Sequence, residues 1–187
     1  RTRLQNSLVK TIKYFYKELD NGNALSLDDL KSYWSNNYDT GIDKEDILYL
    51  NLTSKNRQLK KAGKFLTNFY ERYSENPGYL IGTDIDYNIK FGNFKVIGEI
   101  PIVRYFHDNN EILYLDYGKY TPDSFRKNNY IHFSLICYAY RQIFDINEDY
   151  LLYYNPNKDK EIKVNRSKND FKKAIKQLDN IYSIIDN

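Results

Sequence analysis

The stretch from residue 79 to residue 117 most constrains what this chain can fold into. Apolar and polar residues alternate over residues 79–91, 94–106 and 111–117, and a period of two is typical of β-strands. A Gly-Asn pair separates the first two segments, and an Asp-Asn-Asn run precedes the third. Short connections of these residue types favour hairpins. The pattern therefore predicts a three-stranded antiparallel meander.

The segments on either side of the meander have helical spacing instead. Apolar residues three and four positions apart predict five helices. Three of them cover residues 4–19, 54–73 and 124–144, and the other two begin at Ser26 and Ser167. Leu59 in the third helix and Tyr182 in the last belong to these apolar faces and are expected to face the core. Two short strands are predicted near residues 150–155 and 160–164. The order predicts an α/β (α+β) domain with a mixed central sheet flanked by helices.

Composition and charge leave the function class open. The 187 residues suffice for one domain, and the net charge of +3 is too small to identify a nucleic-acid partner by itself. Cys137 is the single cysteine, which excludes an intramolecular disulfide, and its apolar neighbours predict a buried thiol. No stretch of 18 apolar residues is present, so we expect no membrane partner and an intracellular location. The start at Arg1, without methionine, suggests a fragment of a larger protein.

Five short phrases, in order along residues 25–187, resemble motifs of one enzyme family. They are LSLDDLKSY at 25–33, AGKFLT at 62–67, VIGEIP at 96–101, YLDYG at 114–118 and SLICYA at 134–139. Together they resemble the RecB-like branch of the PD-(D/E)XK nuclease superfamily. The resemblance implies a nuclease-like domain over residues 25–187 with an N-terminal helical extension over residues 1–24.

The resemblance also implies where catalytic groups should stand. Such nucleases hold a divalent metal with two acids on adjacent strands, and the metal activates water for phosphodiester cleavage. The family motifs also include a histidine, a lysine and a glutamine near the metal. At the corresponding positions this chain has Thr67 for the histidine, Gly118 for the lysine and Ser134 for the glutamine. Pro101 replaces the first acid. Asp116 alone matches, at the second acid. We therefore expect no catalytic residue and no cofactor, which makes the domain a pseudoenzyme.

An alternative is an active DNA or RNA nuclease whose catalytic residues have moved. Glu99 lies two residues before Pro101 and so faces the same side of its strand. Asp116 can face it from the next strand, and Asp84 or Asp86 on the first strand can add a third carboxylate. Carboxylate oxygens suit Mg²⁺ or Mn²⁺. In this alternative a weak metal site forms from Asp84, Glu99 and Asp116.

A basic stripe is predicted on the third helix. Arg57, Lys60, Lys61 and Lys64 fall at i, i+3, i+4 and i+7, which is one face of a helix. Such a stripe can neutralise several phosphates, although a solvated lysine face has the same pattern. A second and more diffuse set is interpreted as plain surface: Lys163, Arg166, Lys168, Lys172, Lys173 and Lys176.

These patterns together predict a nuclease-like domain that has lost catalysis and serves nucleic-acid binding or scaffolding. Its expected partners are nucleic acid and the other domains or subunits of a larger nucleic-acid-processing protein or complex, such as that of a virus or phage. Tyr, Asn, Lys and Ile are abundant and have codons rich in A and T. This composition is typical of an A/T-rich genome, such as that of a phage.

Overall fold

A computed structural model describes residues 3–40, 52–116 and 131–185. Five helices and five strands occupy these residues. In chain order they are α1 (Arg3–Asp20), α2 (Leu27–Thr40), α3 (Leu52–Tyr73), β1 (Tyr79–Phe91), β2 (Phe94–Phe106), β3 (Asn109–Leu115), α4 (Ile131–Phe144), β4 (Tyr150–Asn155), β5 (Lys160–Val164) and α5 (Lys168–Ile185). The predicted α/β class is confirmed. Residues 124–130 of the predicted fourth helix, and the degenerate position Gly118, lie outside the described residues.

The predicted meander is confirmed, with a shift in its third strand. β1 pairs antiparallel with β2, and β2 pairs antiparallel with β3. β3 begins at Asn109 and ends at Leu115, two residues earlier than predicted, because His107 and Asp108 form the turn. Both have positive φ, 47° and 60°, as a two-residue type I′ hairpin turn requires. The Asp-Asn-Asn run therefore starts in the turn and continues into the strand.

The described strands form one sheet in the order β1-β2-β3-β4-β5. Asp149, just before β4, donates its backbone N–H to the Asn110 carbonyl at the start of β3, over 2.9 Å. The starts of β3 and β4 therefore lie side by side, so these two strands run parallel and α4 lies in the crossover between them. A tight turn, in which the Lys158 N–H donates to the Asn155 carbonyl over 3.1 Å, returns the chain antiparallel into β5. The sheet is mixed, as predicted.

The chain divides into two compact units. The first holds α1, α2 and α3 together with residues 115–117 and 155–160, and the second holds most of the sheet with α4 and α5. In the second unit the buried face of α4 packs on the sheet through Phe133, Ile136, Cys137 and Tyr140. Cys137 is buried, as predicted.

In the first unit the three helices share a core rich in aromatic side chains. The rings of Phe15 on α1 and Phe69 on α3 meet edge to face, with centroids 5.5 Å apart. A capping box opens α2, close to the predicted start at Ser26: the Ser26 N–H donates to the Asp29 carboxylate over 2.8 Å, and the Asp29 N–H donates to Ser26 Oγ over 3.1 Å. The same box at Ser167 and Asp170 opens α5.

Two residues predicted to face the core do not. Leu59 is 40% exposed and Tyr182 is 55% exposed. Leu59 is the eighth residue of α3, and Tyr182 lies in the last turn of α5. Helical periodicity assigns a residue to one side of its helix but does not determine whether another element covers that side. Among the described residues, none of the helices is both long enough and apolar enough to cross a membrane.

Candidate functional site

The positions at which the nuclease resemblance predicts catalytic groups lie where packing limits their chemistry. Pro101 is buried in β2, and Ser134 is buried in α4 with 1% of its surface exposed. Thr67 is half-buried on α3. Proline has no side-chain ligand, and a buried serine hydroxyl is not available to solvent water.

The carboxylates of the predicted metal site are distributed along the meander. Glu99 on β2 is exposed and lies directly opposite Asp86 on β1. Asp84 has a positive φ of 52°, so its side-chain direction does not follow the strand alternation. Asp116 is half-buried and comes one residue after the end of β3, where no strand register fixes its side chain. That Glu99 and Asp116 share a face stays a prediction. Within residues 3–40, 52–116 and 131–185, no three or more His, Cys, Asp or Glu residues form a group able to hold a metal ion.

The four cations of the predicted basic stripe are all exposed on α3. Arg57, Lys60, Lys61 and Lys64 lie on the helix side away from its buried residues, and we call this set the basic face. No ion pair joins any of the four to a carboxylate of the described residues. Their positive charge is therefore not compensated by a neighbouring acid in that part of the chain.

The amphipathic sequence of α3 determines where the basic face points. Ala62, Phe65, Leu66, Phe69 and Tyr73 are buried, and at 100° per residue they occupy the side of the helix opposite the cations. Burying four large apolar side chains stabilises this orientation by about 1.5–3 kcal/mol for each. The helix cannot rotate to hide its cations without exposing this core.

Polar contacts fix α3 at three further points within the first unit. The Tyr38 hydroxyl of α2 donates to the Gln58 side-chain carbonyl. Asn68 Nδ2 donates to the Pro156 carbonyl over 2.6 Å. Arg72 forms an ion pair with Asp159 over 3.2 Å. The basic face is thus presented by a helix that is held along its length, and a rigid element positions a binding surface better than a loop does.

The second basic set is not plain surface throughout. Lys163, Lys168, Lys172, Lys173 and Lys176 are exposed, but Arg166 is only 4% exposed. Its backbone carbonyl accepts a hydrogen bond from Arg141, which also binds Glu148 through two nitrogens at 2.7 and 2.8 Å. Burial lowers the pKa of Arg166, and burial beside the Glu148 carboxylate raises the pKa of the Cys137 thiol well above its usual range. The interpretation of Arg166 as surface was wrong.

The sequence also gave no warning of a buried ion pair in the sheet. Arg104 on β2 and Glu111 on β3 are cross-strand partners, with 0% and 1% of their side chains exposed. Arg104 Nε donates to Glu111 Oε1 over 2.6 Å. Burial, followed by the nearby Glu111 carboxylate, raises the pKa of Tyr150 to about 12. The register of β2 and β3 places the two charges opposite each other, and the residue pattern of either strand alone does not show it.

Comparison with known proteins does not assign this chain to a family. No model of a protein family matches it, and no curated protein matches it significantly. The candidate site therefore depends on the residues themselves, and the basic face is the part of it with the most defined geometry.

Proposed function

We propose that this chain is a nuclease-like domain without catalytic activity that binds nucleic acid through the basic face of α3. The observation that carries the proposal is the set of four exposed cations on one side of a packed helix, without ion pairs to described carboxylates. The nuclease-like assignment is supported by the meander followed by a crossover helix and a parallel strand, which is the expected order. The departures at Thr67, Pro101 and Ser134 support the loss of catalysis.

The spacing of the basic face suits a phosphate backbone. Arg57 to Lys64 spans about 10 Å along the helix axis at 1.5 Å per residue. Duplex DNA carries one negative charge for every ~1.7 Å along its axis when both strands are counted. A stretch of duplex as long as the basic face therefore carries roughly six phosphate charges. The four cations can contact phosphates on one side of a groove without reading base edges, and binding of this kind is independent of sequence.

The proposal predicts a strong dependence of affinity on salt. Four released counterions give a slope of about −3.6 in log K against log salt for duplex DNA, and about −2.8 for a single strand. Raising the salt from about 50 to about 200 mM should therefore weaken duplex binding about 100-fold. Fluorescence anisotropy with labelled single-stranded and duplex DNA and RNA would measure the slope for each class.

A charge-reversal pair locates the contact. Lys60→Glu with Lys61→Glu should reduce affinity further and bring the salt slope to about half or less of its original value. The matched control is Lys172→Glu with Lys173→Glu on α5, because these adjacent exposed lysines undergo the same change in charge. Exposed substitutions of this kind cost little stability, which circular dichroism would verify.

Three outcomes contradict the proposal. If affinity does not change with salt, or if both variants lose affinity equally, the basic face does not bind phosphates. If no nucleic acid binds at low salt, the role as a scaffold for protein partners is favoured instead.

A further inference from the structure

β1 is an edge strand of the sheet formed by the described residues. It has 13 residues, which is long for an edge, and long edges can pair with another chain. The hairpin that joins it to β2 determines which of its backbone groups point outward. Gly92 and Asn93 form a two-residue turn with positive φ at Gly92 alone, so Phe91 and Phe94 form the hydrogen-bonded pair that closes it.

Hydrogen-bonded and non-hydrogen-bonded pairs alternate from that point. Asp86, Asn88 and Lys90 fall at non-hydrogen-bonded positions relative to β2, so their backbone N–H and C=O groups point away from the sheet. The side chains of these three residues are exposed. They form an outward row that a further antiparallel strand can pair with.

The charges next to this edge are arranged in like-charged pairs. Asp86 lies opposite Glu99, and Lys90 lies opposite Lys95. Like charges directly opposite each other destabilise a sheet, most of all at non-hydrogen-bonded positions where side chains are closest. The acidic pair and the basic pair lie on the same exposed face, on either side of Asn88.

We propose that β1 pairs with β1 of a second copy of this chain, antiparallel and around a twofold axis at Asn88. In that register Asp86 of each copy lies opposite Lys90 of the other, and the two Asn88 residues face each other. The acidic pair of one copy then adjoins the basic pair of its partner in both halves of the interface. About six backbone hydrogen bonds join the two edges, and the sheet becomes continuous across the dimer.

Other registers that use the outward backbone groups are less complementary. An axis at Asp86 places two aspartates opposite each other, and an axis at Lys90 places two lysines opposite each other. An axis at Tyr87 places Asp86 opposite Asn88 and Asp84 opposite Lys90, but the positive φ of 52° at Asp84 interrupts the regular strand there. An axis at Ile89 places Lys90 opposite Asn88. The axis at Asn88 is the register that opposes Asp86 and Lys90 twice, because an isologous interface makes every contact in duplicate.

Reciprocal charge variants test the pairing. The acidic variant carries Lys90→Glu with Lys95→Glu, and the basic variant carries Asp86→Lys with Glu99→Lys. Both variants keep like-charged pairs within the hairpin. Sedimentation velocity over a range of concentrations should show a dimer for the natural chain. We expect each variant alone to have a dissociation constant raised by roughly tenfold or more. An equimolar mixture of the two variants should form a heterodimer.

Net charge requires a control. The variant Lys172→Glu with Lys173→Glu has the same net charge as the acidic variant but leaves the edge intact, so it should dimerise as the natural chain does. Mixed with the basic variant, it should associate more weakly than the acidic variant does. Equal association in the two mixtures would attribute the attraction to net charge and overturn the proposal.

A cross-linking experiment fixes the register. Hydrogen-bonded antiparallel partners have Cα atoms about 5.5 Å apart, within the range for a disulfide. Asn88→Cys should therefore cross-link two copies under oxidation, whereas Lys90→Cys should not, because four residues of strand then separate the thiols by about 14 Å. Cys137 is buried and does not compete. A natural chain that stays monomeric at every concentration, or cross-linking at residue 90 rather than 88, would disprove this pairing.

Discussion

The buried ion pair between Arg104 and Glu111 should be the most sensitive polar contact in the sheet. Glu111→Gln keeps the shape of the side chain but removes its charge, which leaves the Arg104 guanidinium uncompensated. Arg104 has 0% of its side chain exposed, so water cannot replace the lost carboxylate. Its Nη2 and Nε atoms lie 2.5 and 2.6 Å from Glu111 Oε1. The Arg104 guanidinium also lies 4.3 Å from the centroid of the Phe106 ring.

Removing one partner of a buried pair typically costs about 3–5 kcal/mol. Domains have a free energy of unfolding of only about 5–15 kcal/mol, so Glu111→Gln should remove about a fifth of it or more. Urea unfolding followed by circular dichroism would measure the change, and an unaltered m-value would attribute it to the native state. The double variant Arg104→Met with Glu111→Leu removes both charges and should be close to neutral, or more stable than the natural chain.

The surface pair Arg72–Asp159 provides the control, because its side chains are 37% and 55% exposed. Asp159→Asn should cost at most about 1 kcal/mol, and asparagine tolerates the positive φ of 47° at this position. The reasoning would be refuted if Glu111→Gln cost no more than Asp159→Asn. It would also be refuted if the double variant were as unstable as Glu111→Gln alone, since the cost would then come from lost packing.

Two further predictions concern glycines and catalysis. Gly63→Ala should raise the free energy of unfolding by about 0.5–1 kcal/mol, because a Cβ there meets no described atom within 4 Å. Gly98→Ala should lower the free energy of unfolding by about 1–3 kcal/mol, because the added Cβ collides with the Tyr87 ring. Thermal unfolding should therefore show shifts of opposite sign, and shifts of the same sign would contradict the packing argument. The purified chain should not cleave single- or double-stranded DNA or RNA in Mg²⁺ or Mn²⁺. If it does, and Glu99→Ala with Asp116→Ala abolishes cleavage while the fold stays intact, the relocated metal site is correct.

Regular periodicity made most of the fold predictable. The period of two over residues 79–106 gave β1 and β2 at their observed bounds, and the 3.6-residue period gave the buried and basic sides of α3. Turn chemistry was harder to predict. Although His and Asp adopt positive φ more often than most residues other than glycine, a His-Asp pair is not among the pairs typical of a type I′ turn. β3 was therefore placed two residues late.

Buried charge was not predictable from local sequence. Arg104, Glu111 and Arg166 belong to residue types that are almost never buried unless paired. The partner of Arg104 lies on another strand, and the buried Nε and Nη2 atoms of Arg166 have no hydrogen-bond partner among the described residues. Only the register of β2 and β3 brings Arg104 and Glu111 together, and only the start of α5 brings the Arg166 carbonyl to Arg141. The cations of the basic face were predictable for the opposite reason: a single helix determines their arrangement.

The burial of the degenerate positions bears on how the proposed loss of catalysis became fixed. A carboxylate inside an apolar region is costly unless a metal or another cation compensates it. A small or apolar residue such as Pro101 or Ser134 fits a packed interior better than a charged one. An acid introduced at position 101 would therefore cost stability. Residues of the basic face have no such constraint, since they are exposed on a helix held by its other side. The proposed binding function depends on exposed residues alone, whereas the buried positions are constrained by packing.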